Sequence, residues 1–394
     1  MVITEEKLNK LLKVYLVFIL LELFLLGSGQ LIKYHSLTLR MVNFVLLTLF
    51  CLLLFRKRKI KAEYMMMLYV FLGSITLSSV IGYFNGASLA PIFNDVKPLL
   101  FFIYLIPFSF LIKTNADLKR VISIIKISAI ILAVLYFIYI IVFQFYPLVI
   151  FVVTPLEMVG ELFFRGSGGF FFYKGFFFIM VSIFLITKQS KIDKLILSIL
   201  LVAILFTLTR GFYLALILPY LIVGMMNLYY SGRIKLSNMI LLVLFLLIFG
   251  LSLPSILNFI GNKSLSDAIR IDFINKVNDN ITPLSMIFGH GFGVAAGVNR
   301  VHLEISYYEI LHKQGIVGLV VYFIPLIYCF NKLIKDSVSK LDQRFFLAVL
   351  SVYIISFTNP FINNPLGLSI IVISMIAMDI ISKENQRMVH IPTL

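Results

Sequence analysis

Residues 121–146 read VISIIKISAIILAVLYFIYIIVFQFY. One cation, Lys126, interrupts an apolar run long enough to cross a hydrocarbon core of roughly 30 Å as a helix. A strand of a membrane barrel would alternate apolar and polar residues, and this run does not. Similar runs recur along all 394 residues, of which 61% are apolar and 13% charged, with a mean hydropathy of +1.03. No water-soluble core needs that much apolar surface. The expected fold is an all-α polytopic membrane protein with one membrane domain over residues 1–394. Spans are expected near 14–32, 38–55, 64–84, 98–112, 121–146, 170–187, 194–209, 211–230, 236–257, 314–330, 345–358 and 366–381, about 12 transmembrane helices in all. The first apolar run is too long for a signal-peptide core and no small-residue cleavage site follows it, so no cleavable signal is expected.

Charge sets the orientation. With twelve crossings both termini share one side, and the loops RKRKIKAE (56–63), KTNADLKR (113–120), TKQSKIDK (187–194), SGRIK (231–235) and NKLIKDSVSKLDQR (331–344) join them there. That side holds 22 of the 34 Lys and Arg, the other side holds 11, and Lys126 lies within a span. The lysine-rich side is therefore expected to be cytoplasmic. Much of the +16 formal charge serves this orientation, so no nucleic-acid partner is implied. Two long segments then face outward, 147–169 and 258–313. No P-loop occurs, which argues against ATP as a driver. Cys51 and Cys329 lie far apart in apolar runs and are read as core hydrophobes. The five His are scattered without HxxxH or HExxH spacing, so neither a metal nor any other cofactor is expected.

The outward segments gather the informative charges. Arg210, in FTLTRGFYLAL, is either an arginine snorkelling to headgroups or one held at the surface to grip a phosphate with its planar fork. Arg165 sits among glycines in ELFFRGSGGFFFYKGFFF, and Lys174 follows inside the aromatic run, where an ammonium needs a polar cavity. Arg270 belongs to SLSDAIRIDFINKVND, whose Ile269, Phe273 and Val277 suggest an amphipathic helix along the membrane surface. GHGFGVAAGVNR (289–300) is a tight, glycine-rich turn. Then comes RVHLEISYYEILHKQGIVGL (300–319). On a helix, His302, Ser306, Glu309 and Lys313 form one stripe, and Glu304, Tyr308 and His312 a second. Either stripe is a solvated face or carries a general base.

The order TLTRG, an Arg-bearing amphipathic segment, GHGFG and a His-headed helix closing in QGIVGL resembles the shared core of the O-antigen ligase and Wzy-type polysaccharide polymerase superfamily. The resemblance covers roughly residues 160–330. It implies a GT-C-type helical bundle with a long periplasmic loop before helix 10, in the bacterial inner membrane, with both termini cytoplasmic. It also implies a metal-independent glycosyltransferase that polymerises undecaprenyl-diphosphate-linked oligosaccharide repeat units at the outer face of that membrane. Membrane lipids, a chain-length regulator and a flippase of the same pathway are the implied partners. By matching position, Arg210 and Arg270 would hold the diphosphate, with Arg165 and Lys174 as further candidates. His302 corresponds to the family's His of a His-Asn pair, with Leu303 in place of Asn, and Thr209 stands where the family has Ser before Arg210. The base is left open between His302, Glu304 and Glu309, and Tyr173, Tyr307 and Tyr308 are candidates to stack on sugars. Two alternatives stand beside the polymerase. One is a ligase moving polymer onto lipid A core, disfavoured by Leu303. The other is a flippase, disfavoured by the lack of an internal repeat.

Overall fold

The computed structural model describes residues 5–35, 37–54, 59–165, 169–186, 190–232, 264–295, 305–335 and 340–389. Among these the fold is helical throughout, apart from two small antiparallel hairpins. The helices are α1 (Glu5–Leu25), α2 (Leu39–Leu54), α3 (Ala62–Phe84), α4 (Leu89–Leu99), α5 (Leu105–Leu111), α6 (Asn115–Phe145), α7 (Ile150–Met158), α8 (Phe177–Leu185), α9 (Lys191–Phe206) and α10 (Arg210–Tyr230). They continue as α11 (Ser264–Asn280), α12 (Pro283–Phe288), α13 (Ser306–Lys335), α14 (Lys340–Ile355) and α15 (Pro365–Val389). The hairpins pair Lys33–Tyr34 with Leu37–Thr38, and Leu162–Phe164 with Phe171–Tyr173.

Helices occur at every expected span within the described residues; the expected span 236–257 lies outside them. By length and apolarity, six stretches can cross a membrane: Ala62–Phe84, Leu89–Leu111, Asn115–Phe145, Arg210–Tyr230, Ser306–Ile334 and Pro365–Glu384. Among the described residues the other helices are shorter or carry more charge; Leu39–Leu53, Pro147–Met158 and Lys174–Leu185 are shorter apolar helices. The fourth span starts well before its expected position at 98, because α4, a 3₁₀ turn and α5 run on continuously from Leu89. Hydropathy discounts Asn94, Asp95 and Lys97, but Asp95 is buried and ion-paired and so costs the helix little.

The bundle is built around α15. Its most apolar stretch is 94% buried, against 33–44% in the other five. α8, with every residue buried, packs against α6 and α14. Outward faces of α2, α3 and α6 expose Leu, Val, Ile and Phe, as lipid contact requires.

The connections fall into two sets. The turns after α1 and α14, the starts of α2 and α13, α4, Phe292 and Lys174 come together around one cavity. At the other end a buried carboxylate, Asp379 of α15, accepts from Lys61 (2.9 Å), from the Tyr328 hydroxyl (2.6 Å) and from the Tyr64 hydroxyl. That group joins α3, α13 and α15.

α13 breaks where its sequence carries Gly315 (φ 65°, ψ −164°), a conformation that is essentially glycine's alone. The break frees the carbonyls of His312 and Lys313, and the GHGFG turn takes them up. His290 N–H donates to His312 O (2.7 Å) and Gly291 N–H to Lys313 O (3.0 Å). The turn fits because Gly289 and Gly291 adopt positive φ, and a Cβ on Gly291 would collide with the α3 backbone at Gly82. The glycines therefore brace a broken helix.

Candidate functional site

The cavity has a volume of about 550 Å³, within the range of small-ligand sites. One wall is the interrupted start of α13. Ser306, Glu309 and Lys313 share a face there, and all three are buried. The alternative of a solvated stripe is thus excluded for these three. Lys313 Nζ lies 2.7 Å from Asp95 Oδ1 and 2.7 Å from Glu309 Oε1. Asp95 Oδ2 accepts from Gly293 N–H (2.8 Å), which ties the glycine turn to the same group. Glu309 Oε2 accepts from Asn363 Nδ2 (2.7 Å), and Ser306 Oγ donates to Asn363 Oδ1 (3.2 Å). Each of these side chains has a partner, as buried polar groups require.

Another part of the lining comes from α2, the turn after α1 and Lys174. Arg40 is 5% exposed and pairs with Glu22 of α1, through Nη2 (3.0 Å) and Nε (3.2 Å) to the same oxygen. Glu161, wholly buried, accepts from Ser28 N–H (2.8 Å), Ser28 Oγ and Gln30 N–H (3.2 Å), which fixes the turn after α1. Lys174, which follows the hairpin directly, lines the cavity together with Arg40 and Lys97.

The expected site residues separate into groups. Glu309 and Lys174 line the cavity, as the polar-cavity reading of Lys174 anticipates. Arg210 opens α10 and is half-buried; its neighbour Gly211 packs against Thr358 and Asn359, so it sits behind the loop that brings Asn363 to the cavity. Arg165 lies over the Phe172 ring (5.9 Å), and Phe172 meets Phe212 (5.4 Å) two residues from Arg210. These two arginines thus share one aromatic neighbourhood. Arg270 falls on α11, but its side chain, with His302 and Glu304, lies outside the described residues.

The three tyrosines are engaged in packing. Tyr173 is 6% exposed and donates its hydroxyl to Leu25 O (2.8 Å). Tyr307 donates to Tyr353 O (2.7 Å) and stacks on Phe323. Tyr308 packs with Phe273 and Val277, the buried pair one turn apart on α11. Tyr173 and Tyr307 thus have their hydroxyls bonded within the bundle, while Tyr308 is half-buried against α11. His312, at 2% exposure, stacks with His290 at 4.7 Å. No group of three or more His, Cys, Asp or Glu among the described residues could hold a metal ion.

Asp95, Asn363 and Arg40 are cavity residues that reading the sequence missed. For Asp95 and Arg40 a signal existed, since each is a charge beside or within an apolar run.

Fold and site together define a helical membrane protein that keeps a carboxylate–lysine cluster and several cations around a cavity at one end of its bundle. The chain is 28% identical over 390 residues to an O-antigen polymerase of Shigella flexneri, covering 96% of this chain and 97% of that one. That similarity bears out the kinship with Wzy-type polymerases anticipated from the motif order. No family model matches the chain.

Proposed function

We propose that this protein is a membrane glycosyltransferase that polymerises oligosaccharide repeat units carried on undecaprenyl diphosphate, at the outer face of a bacterial inner membrane. A chain-length regulator and a flippase are its proposed partners in the membrane. The observation that carries the proposal is the similarity to an O-antigen polymerase along nearly the whole chain. The cavity supports it, because a carboxylate and several cations meet there in an otherwise apolar bundle.

In the proposed reaction a hydroxyl of one lipid-linked unit attacks the anomeric carbon of another. The new glycosidic bond forms as the bond to the diphosphate breaks, and undecaprenyl diphosphate leaves with the electron pair. The hydroxyl proton passes to a base. Glu309 is the described candidate; Lys313 and Asn363 fix its two oxygens. His302 and Glu304 stand a short way upstream as the alternatives. Negative charge on the departing diphosphate needs fixed cations in a site that excludes water. Lys174 in the cavity and Arg165, Arg210 and Arg270 in the outward segments are the proposed source. Apolar grooves between helices suit the polyprenyl tails.

Reconstitution with lipid-linked repeat units tests this reading. Laddered products are expected from the native chain. Arg210→Ala and Glu309→Gln should each lower laddering by about a hundredfold or more while membrane insertion persists. Transfer of preformed polymer to lipid A core, without ladders, would instead identify a ligase. Ladders of native intensity from both variants would refute the assigned roles.

A further inference from the structure

We infer that Arg40 is an anion-binding residue of the cavity and grips the diphosphate of a lipid-linked substrate. This assignment rests on the glycosyltransferase reading above.

The guanidinium is only half used by the protein. Nε and Nη2 are committed to Glu22, while Nη1 is buried without a hydrogen-bond partner among the described residues. A buried guanidinium nitrogen left unmatched costs on the order of 1–3 kcal/mol or more. Satisfying Glu22 accounts for one edge of the fork; the free edge has the shape and charge of an oxyanion site.

Its surroundings agree. Arg40 lines the same cavity as Lys97, Lys174 and Lys313. The acids near it, Glu22 and Glu161, are buried at 5% and 0% exposure and are not among the cavity-lining residues. Lys313 is matched by Asp95 and Glu309, which also line the cavity, whereas Arg40 reaches the space with its counter-charge Glu22 off the lining. Glu22 keeps Arg40 in place at low cost, much as a second-row carboxylate orients a working side chain. Gly29, at φ 89°, lies directly against the guanidinium, and a Cβ there would displace it. A proton-accepting carboxylate, Glu309, stands on the α13 wall of the same cavity. An anion held by Arg40 and Lys174 would therefore share its chamber with the base.

The competing account is that Arg40 merely neutralises Glu22. Equilibrium binding of radiolabelled undecaprenyl diphosphate to the purified full chain separates the two. Undecaprenol and inorganic pyrophosphate run in parallel, to separate lipid from free anion. Arg40→Lys preserves the neutralisation but removes the fork, and should weaken undecaprenyl diphosphate binding about tenfold, the loss of one charge-assisted bond. Its melting temperature should fall by only a few degrees, since the charge pair with Glu22 persists through a single contact. The double variant Glu22→Gln/Arg40→Gln removes both charges together and should bind as poorly as Arg40→Lys or worse, while undecaprenol binding is the same for all. Native affinity in either variant would overturn the inference. If the native chain makes ladders but Arg40→Lys binds normally, only this assignment falls. If the native chain neither ladders nor binds the diphosphate lipid, the underlying reading falls with it.

Discussion

Lys313→Met is the sharpest perturbation of the cavity wall. The lysine is the hub of two ion pairs, each at 2.7 Å, and its side chain is 4% exposed, against 2% for Asp95 and 8% for Glu309. Methionine nearly conserves volume, so the change acts through charge. Removing one partner of a buried ion pair costs about 3–5 kcal/mol, because the remaining charge keeps its desolvation penalty. Two carboxylates lose Lys313 here, which puts the cost at the upper end of that range. For a chain of this length that is a drop of roughly 5–10 °C in melting temperature. Thermal denaturation of the detergent-solubilised protein reads it directly. Asp95→Asn severs one pair and leaves Lys313 with Glu309, so it should cost less than Lys313→Met. Adding Asp95→Asn to Lys313→Met should recover part of the loss, giving a coupling of about 1 kcal/mol or more in the double-mutant cycle. Suppose Lys313→Met melts within 2 °C of the native chain and the cycle shows no coupling. The buried triad is then not what holds α4 to α13, and Glu309 is not fixed in the way the mechanism needs.

Two further outcomes are expected. Gly315→Ala should destabilise by at least about 3 kcal/mol, because its backbone conformation excludes a side chain and a Cβ would strike the Ile287 carbonyl; an unchanged melting temperature would show that α13 straightens without loss. Laddering in the reconstituted system should be unaffected by EDTA, since fixed cations and not a metal are proposed to neutralise the diphosphate; its loss on chelation and return with a divalent ion would defeat that.

Hydropathy located the helices because burying backbone in lipid leaves the chain few alternatives, so a run such as 121–146 has one reading. Boundaries failed where polar residues are paid for by partners distant in sequence. α4 begins at Leu89 because Asp95 meets Lys313, and nothing in residues 85–100 announces a partner more than two hundred positions away. The stripe of Ser306, Glu309 and Lys313 was legible as a stripe, but its burial depends on Asn363 and on the glycine turn. The GHGFG motif read correctly as a tight turn. Its function as the acceptor of carbonyls released at Gly315 could not be read without the break itself. Tyr173 and Tyr307 carry packing contacts that spacing along the chain does not announce. Aromatic rings near a sugar site suggest stacking platforms, yet an aromatic-rich bundle needs most of its rings for packing.

The two ends of the bundle offer a comparison that locates the chemistry. Both hold a buried carboxylate beside lysine. At the Asp379 end both oxygens are bonded: one takes Tyr328 and Lys61, with Lys332 at 3.4 Å, and the other takes Tyr64 and Lys61. Three helices are fastened there by groups that bond one another, as expected of a structural staple. The cavity at the other end is also fastened, through Lys313 and Asn363, but it retains Arg40 with one edge bonded and Nη1 unmatched among the described residues. A fold that evolved only to stay together would gain by matching that edge, and a neighbouring hydroxyl or amide would suffice. Arg40 lines a cavity of about 550 Å³ there, with Lys174 on the same lining and Glu309 on the α13 wall. An unmatched buried donor is tolerated when an oxyanion completes it, and a lipid-borne diphosphate brings several oxygens of the right charge to that place.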